Sequence, residues 1–589
     1  MFSLSLRRLL GTRNKRILLF LLLLVLLAFI YHSHSRNNSE TLENETAAPP
    51  PNPWLKFADH LPTEEYDALL TVRASRPSPW TSLTTPNWQA TEAQQRSLNR
   101  IIRNALQHPE ATQETWQARQ DRVVGATKYA WDAYRRNAFG CDEYHPISRT
   151  GTNNTRQGVG YFVADVLDTL LLMGLVKEYN EGRNFLVHHV SYDQPGVVSL
   201  FETTIRVLGG LLAAFHWSGE SDHGLLDLAT DLGLRLAKSM NTSTGIPPET
   251  AILRSDGMPY ASLSSTAEVA TLQLEFRYLS KLTHHTEFRT AVDRIMDVLL
   301  QAPKYDGLVP IYVNAQTGQF AGDDIRLGSR GDSYYEYLLK QWMQTGQTEP
   351  RYREEYDRAM DGVKKFLVEV TPMQNLTYIG ELTGLLSGTP VFKPKMDHLV
   401  CFLGGNLALG ATKGKSLSQV PPLDISARDR EDLILARELT ETCVRMYLDM
   451  PLGLSPEIAH FRQSPASPDD PNQGDILVHQ ADRHNILRPE TIESLLLLWR
   501  ITGEDKWREY GWVIFENFEK WAKMDNGGGF TGLRDVTEVP PKREDKMETF
   551  FVAETLKYFY LLFGSADKVP LTEYVFNTEA HPLPMFSWE

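Results

Sequence analysis

The chain has 589 residues, 42% of them hydrophobic and 23% charged, with a formal net charge of −14 at pH 7. A chain of this length can bury a large core, and length alone suggests several domains. The acidic balance leaves no basic excess to neutralise phosphates, which argues against a nucleic-acid partner. Three cysteines are too few for a disulfide scaffold.

At the N-terminus, Arg7, Arg8, Arg13, Lys15 and Arg16 precede an uncharged run over 17–31. That run is short for a full span, although flanking residues extend it in a thin membrane such as that of the endoplasmic reticulum (ER). His32-Ser33-His34-Ser35-Arg36 offers no small-x-small cleavage site. Positive charge ahead of the run keeps that side cytoplasmic. Residues 1–16 therefore read as a cytoplasmic tail and 17–31 as a transmembrane signal anchor. Residues 32–95, with Pro49-Pro50-Pro51 and many Ser and Thr, read as a lumenal stem. Residues 96–589 form the expected catalytic domain. Glycosylation sequons at Asn37, Asn44, Asn153, Asn241 and Asn375 agree with a lumenal address. In an oxidising lumen, two of the three cysteines could pair.

From about Gln94 onward helical patterns dominate and strand-like alternation is sparse. Several helices begin with a polar or acidic residue and continue almost wholly apolar. They start near Asp165, Glu202, Glu268, Asp332, His398, Glu490 and Glu548. Between them lie more amphipathic helices, such as those over 220–240, 351–370 and 428–449. This alternation suggests helical hairpins with an inner and an outer layer. Periodicity leaves open whether the array closes into a barrel or stays a solenoid.

The polar starts converge at one end of such an array: Glu202, Arg206, Arg330, Asp332, His398, Arg488, Glu490, Glu493, Glu548 and Glu554. Leu487-Arg488-Pro489-Glu490-Thr491-Ile492-Glu493-Ser494 is the sharpest case. Proline suits the first helical position, Glu490 and Glu493 share a face of the first turn, and 495–499 is apolar all round. Read blandly, the two acids merely cap an ordinary helix. A carboxylate-rich cluster otherwise suits general acid–base work on a neutral polyol, with an oxygen-loving cation to offset repulsion. Phe550 lies four residues before Glu554, the spacing of a sugar platform or of a core aromatic. Asp469 to Asp475 lacks the distal Glu of an EF-hand and reads as a surface turn, and no His pair stands at metalloprotease spacing.

These motifs resemble class I α-mannosidases, family 47 of the glycoside hydrolases. The likeness covers about 130–584, through Ala130-Trp131-Asp132-Ala133-Tyr134, 165–174, 199–212, 332–342, 398–404, 487–494, 548–558 and 575–582. It implies an all-α (α/α)7 barrel and inverting, calcium-dependent hydrolysis of terminal α-1,2-linked mannose from high-mannose N-glycans. It implies Glu202 or Asp332 as proton donor, Glu490 as general base and Glu457 as a further active-site carboxylate. Thr578 would be the direct calcium ligand, with Glu493, Glu554 and Glu579 holding waters around the ion. Arg206, Arg330, His398, Arg488, Pro489 and Phe550 would contact sugar. Cys401 and Cys443 match the family's disulfide, which leaves Cys141 as a small buried residue.

Arg330, two residues before Asp332, together with the cysteine pair and a chain that ends soon after Thr578, resembles the ER type, which removes chiefly one mannose from the nine-mannose glycan. That makes Arg330 a substrate-selecting residue, or else a structural ion-pair partner. Gly331 departs from the commoner Ala, and glycine there would loosen the loop. Two alternatives compete: a Golgi-type enzyme trimming to five mannoses, and a glycan-binding quality-control protein with little activity. A helical-repeat scaffold without chemistry would tolerate replacement of Glu202, Asp332 and Glu490. Localisation is expected in the ER membrane, or alternatively the Golgi. Oligomeric state is not legible.

Overall fold

The computed structural model describes residues 113–588, apart from 255–260, 388–389, 421–423 and 471. The expected tail, anchor and stem, with the sequons at Asn37 and Asn44, lie outside the described residues. Among the described residues, no helix is long and apolar enough to cross a membrane.

Fourteen helices of this region alternate between two layers. The outer set is α1 (Gln113–Ala138), α3 (Val176–His189), α5 (His223–Ala237), α7 (Thr286–Gln301), α9 (Pro350–Phe366), α11 (Ala427–Leu448) and α13 (Lys506–Trp521). The inner set begins with α2 (Tyr161–Leu172) and α4, which runs from Leu200–Glu202 through a π-helical stretch, Thr203–Leu208, into Gly209–Trp217. It continues with α6 (Gln273–Thr283), α8 (Asp332–Gln344), α10 (Phe402–Thr412) and α12 (Glu490–Thr502). Last comes α14, a π-helical stretch Phe551–Thr555 followed by Leu556–Phe563. Each inner helix packs on the next, and α14 packs back on α2, so the array closes into a ring. Each outer helix packs on a sequence-adjacent inner one, with α1 against α14. The question periodicity left open is thus answered in favour of an all-α barrel.

Composition explains the layering. Every residue of α10 is buried, as are all but the first of α8, the pattern of helices surrounded on all sides. The outer helices bury one stripe only: α7 buries Phe288, Val292, Ile295, Met296 and Leu299, spaced by three and four. Close approach of α2 and α4 depends on Gly210, where a Cβ would stand 2.1 Å from the Ala164 carbonyl oxygen.

α12 begins at Glu490, as expected, but Pro489 is its cap rather than its first residue, and the Pro489 carbonyl accepts the Glu493 N–H at 2.9 Å. Other expected starts are displaced. Glu268 lies in a separate turn, Thr266–Val269, ahead of α6, and Asp165 lies one turn inside α2. His398 opens a 3-10 turn, His398–Cys401, that runs into α10. Short strands lead into these starts: Val197–Ser199 before α4, Leu263–Ser265 before Thr266, and β1 (Lys395–Asp397) before His398. β1 pairs antiparallel with β2 (Ile458–Phe461), which pairs with β3 (Ile476–Leu477).

Cys401 and Cys443 form the disulfide, with Cα atoms 5.9 Å apart and a sequence separation of 42. It ties the His398 turn to α11. Closing a loop of that size constrains the unfolded chain by about 4 kcal/mol in the chain-entropy model. A Cys401→Ser/Cys443→Ser double variant should lose stability of that order, read as a lower denaturant midpoint, with a larger m-value because the unfolded chain is no longer cross-linked. Cys141 is unpaired, as expected, but half-buried rather than buried, because the strand residue against it, Gly151, has no side chain to cover it.

Candidate active site

The polar starts of the inner helices meet at one end of the ring. Two of them are built alike. Ser199 Oγ accepts the Glu202 N–H at 3.1 Å, and Ser265 Oγ accepts the Glu268 N–H at 3.4 Å. Both are serine caps with an acid three residues on, the sequence signature of a helix start.

Glu490 is buried. Its Oε2 lies 2.7 Å from His398 Nδ1. A carboxylate only accepts, so Nδ1 carries the proton when Glu490 is ionised. His398 Nε2 lies 2.8 Å from the Tyr447 hydroxyl and 3.1 Å from Thr491 Oγ1. Tyr447 stands one turn beyond Cys443 on α11, so disulfide and hydroxyl hold the same imidazole segment. Arg488 Nε donates to Glu457 Oε1 at 2.6 Å, and Nη1 lies 3.7 Å from Glu490 Oε1. Burial pushes the Glu490 carboxyl up, but the His398 hydrogen bond and the Arg488 charge outweigh it and hold the group below the ordinary value of 4.5.

Asp332, the first residue of α8, goes the other way. Burial pushes its carboxyl up to about 7; the Ser333 N–H opposes this, and the charges of Glu336 and Glu490 add to it. The two acids are thus shifted in opposite directions, Glu490 toward the ionised form and Asp332 toward the protonated one, the separation that acid–base chemistry uses.

Arg206 organises a second cluster of acids. Its Nε donates to Glu202 Oε2 at 2.7 Å, Nη1 bonds Glu579, and Asp165 lies 3.6 Å away. The Phe550 ring is shared by two cations, with the Arg206 guanidinium at 5.5 Å from its centre and that of Arg488 at 5.8 Å. Glu202 and Arg206 also line a cavity of about 380 Å³ with Tyr161, Lys546, Glu548 and Thr549. Arg330 stands in the left-handed region, φ 70°, and donates to Glu249 at 2.9 Å, with Glu268 at 3.6 Å. A Cβ on Gly331 would meet the Arg326 carbonyl oxygen at 2.1 Å. Glycine here permits tight packing; the expectation of a loosened loop is not met.

Thr578 sits in a turn anchored by buried Asn577. The Asn577 amide donates to the Ile205 carbonyl and to Glu275, and its oxygen accepts the Glu579 and His581 N–H groups. Thr578 Oγ1 donates to Glu336 Oε2 at 2.9 Å. The Tyr558 hydroxyl feels Glu493, Glu554, Glu336 and Glu579 together. Burial raises Glu493 to about 7, and burial with neighbouring negative charge raises Glu554 and Glu579 well above the usual range. Lys340, which pairs with Glu336 and lies 3.3 Å from Glu493, and Arg206 are the cations set against these four acids. An all-oxygen donor set around undercompensated negative charge fits a hard dication.

The expected site residues therefore come together, with Arg330 on the Glu202 side through Glu268. Sequence reasoning missed Glu336, Lys340, Tyr447, Asp165 and Glu249. The first two were within reach: Asp332, Glu336 and Lys340 are spaced by four and share one face of α8. The π-helical stretches that carry Arg206 and Glu554 left no local mark, though such insertions gather at functional sites.

Comparison with known proteins agrees. Residues 126–585 match the sequence model of glycosyl hydrolase family 47. The mannosyl-oligosaccharide 1,2-alpha-mannosidase of Candida albicans is 45% identical over 487 residues, covering 80% of this chain and 85% of that protein. The endoplasmic reticulum mannosyl-oligosaccharide 1,2-alpha-mannosidase of Saccharomyces cerevisiae is 40% identical, covering 80% and 91%. The solved alpha-1,2-mannosidase from Trichoderma reesei superposes with a TM-score of 0.72 at 27% identity, over 80% of this chain and 99% of that one.

Proposed function

The chain belongs to glycosyl hydrolase family 47, and from that premise we propose that it is an inverting, calcium-dependent hydrolase. It removes terminal α-1,2-linked mannose from high-mannose N-glycans, one residue from the nine-mannose glycan, in glycoprotein processing and quality control. The observation that carries this reading is the convergence of Glu490, bonded to His398 and beside Arg488, with Arg206 across the shared Phe550 ring; the opposed directions of the Glu490 and Asp332 shifts agree with it.

Glu490 takes a proton from the attacking water, oriented by the His398 Nδ1–H. Asp332 gives its proton to the departing oxygen. An inverting pair leaves room for that water, with carboxyls roughly 6.5–9.5 Å apart in general. Arg206, Arg488, Pro489 and Phe550 form the wall against the sugar, and Glu457 fixes Arg488. Thr578 would hold calcium directly, with Glu493, Glu554 and Glu579 around it. When bound, the ion supplies charge that offsets the carboxylates and oxygen ligation that orients sugar hydroxyls. The seven inner and seven outer helices correspond to an (α/α)7 barrel.

A second reading of the donor rests on the cavity. Glu202 lines it and Asp332 does not, which suits Glu202 acting through a water. The pH profile separates the two. With Asp332 as donor, kcat/KM falls at low pH as Glu490 gains a proton and falls again as pH rises through about 7 and Asp332 loses one. Asp332→Asn should lower kcat by about 10²-fold or more and abolish the alkaline limb, while Glu202→Gln should keep it. An alkaline limb that survives in Asp332→Asn moves the role to Glu202.

The membrane address is part of the same proposal: one N-terminal span over 17–31, type II, in the ER membrane with the catalytic domain lumenal. Asn153, Asn241 and Asn375 are exposed, as glycan acceptors must be. The test of substrate is the full chain in detergent with nine-mannose glycan, followed by mass. Rapid loss of one mannose supports the ER-type reading and the role of Arg330, and Arg330→Leu should then trim further. Progressive loss to five mannoses indicates the Golgi type. No loss in folded protein with calcium present promotes the glycan-binding alternative.

A further inference from the structure

A second cluster of ligating side chains lies outside the carboxylate site. His460 stands on β2, paired across the sheet with Lys395 of β1 and Leu477 of β3. His479 caps the 3-10 turn Gln480–Asp482 that follows β3, and Asp482 ends it. His460 Nε2 lies 3.0 Å from Asp482 Oδ2, and His479 Nδ1 lies 3.9 Å from the same oxygen. The two imidazole rings stack with centres 3.7 Å apart. One ligand atom from each of the three residues lies within 4.8 Å of the others.

We propose that His460, His479 and Asp482 bind a transition-metal dication of the zinc class, through two imidazole nitrogens and one carboxylate oxygen. Bonds of about 2.0–2.1 Å in tetrahedral array put ligand atoms about 3.4 Å apart. The distances of 3.0 and 3.9 Å from the two imidazoles to the Asp482 oxygen bracket that value, and closing on an ion requires the stacked rings to turn so that both nitrogens face it. The donor set selects the metal class: two nitrogens and a single carboxylate suit zinc, copper or nickel, whereas calcium requires six or more oxygens. The neighbouring cation, Lys395, is committed to Glu381 at 3.0 Å and Asp397 at 3.1 Å. His479 is exposed, which leaves an entry path and positions for water.

The location gives binding a reach beyond the surface. The Asp482 carbonyl accepts the Glu457 N–H at 3.0 Å, and the Glu457 carbonyl accepts the His398 N–H at 2.8 Å. An ion that ties β2 to the 480–482 turn therefore clamps the strand end that presents Glu457 to Arg488.

The test is calorimetric titration of zinc chloride into the full, calcium-saturated chain, beside His479→Ala and Asp482→Asn. Circular dichroism and thermal unfolding would confirm that each variant folds; His479 is exposed, and its replacement leaves the core intact. One zinc per chain is expected, at least tenfold weaker in both variants and unchanged in Cys141→Ser, which removes the free thiol as a rival ligand. Excess calcium should not displace it. Absence of zinc binding in the parent chain overturns the proposal, as does binding undiminished in either His479→Ala or Asp482→Asn.

Discussion

Replacing Glu490 with glutamine is expected to lower kcat on an α-1,2-linked mannose disaccharide by about 10³-fold, with KM changed less than threefold. Positioned acid–base groups contribute about 10²–10⁴-fold, and each factor of ten is about 1.4 kcal/mol of barrier. The substitution is nearly isosteric. The glutamine oxygen can still accept the His398 Nδ1–H, and Arg488 keeps its bond to Glu457. What disappears is the carboxylate that takes the proton. KM should therefore stay near its parent value while the transition state loses its base. Steady-state kinetics on folded variant decides it: a loss under tenfold would remove Glu490 from the base role and return it to the bland reading of a helix-capping acid. His398→Ala should produce a smaller drop in kcat, since it releases the orientation of Glu490 without removing the acceptor.

The second large effect is removal of the ion. Glu336, Glu493, Glu554 and Glu579 share one buried region with Lys340 and Arg206 as counter-charges. Buried like charges without compensation are costly. A chelator should therefore abolish turnover and also lower thermal stability. If free calcium stands at one hundred times its Kd, the linkage amounts to about 2.7 kcal/mol, readable by scanning calorimetry with and without chelator. Thr578→Val keeps the shape of the turn and its N–H bond to the Tyr337 hydroxyl but removes the hydroxyl ligand. Its melting point should respond far less to the chelator. A parent chain whose melting point ignores the chelator would separate Thr578 from any structural ion.

Glu490 and Asp332 show how far a sequence reading reaches. Both were found from local pattern alone: an acid at the first turn, an apolar run behind it, Pro489 in front of one. Their difference in proton affinity was not visible. It depends on His398, which is 92 residues from Glu490 in sequence, on Arg488, and on how deeply each carboxyl is buried. Arg206 and Glu579, 373 residues apart, are a stronger case. Nothing near either residue names the other, because ring closure by α14 against α2 brings them together. Gly331 shows the opposite error. Taken by itself, glycine implied a looser loop, but the Arg326 carbonyl occupies the space a side chain would need.

His460 and His479 mark the same boundary outside the carboxylate site. Their separation matches no metal-binding spacing, and only the antiparallel register of β2 and β3 stacks the rings.

Helical periodicity, the polar starts and the argument against a nucleic-acid partner follow from sequence by itself, because each depends on residues within a turn or two of one another or on summed composition. Ring closure, the pairing of distant charges, the π-helical stretches and the opposed titration of Asp332 and Glu490 were decided by tertiary structure. Coulomb interactions and desolvation act through space, and a linear pattern does not record which residues share that space.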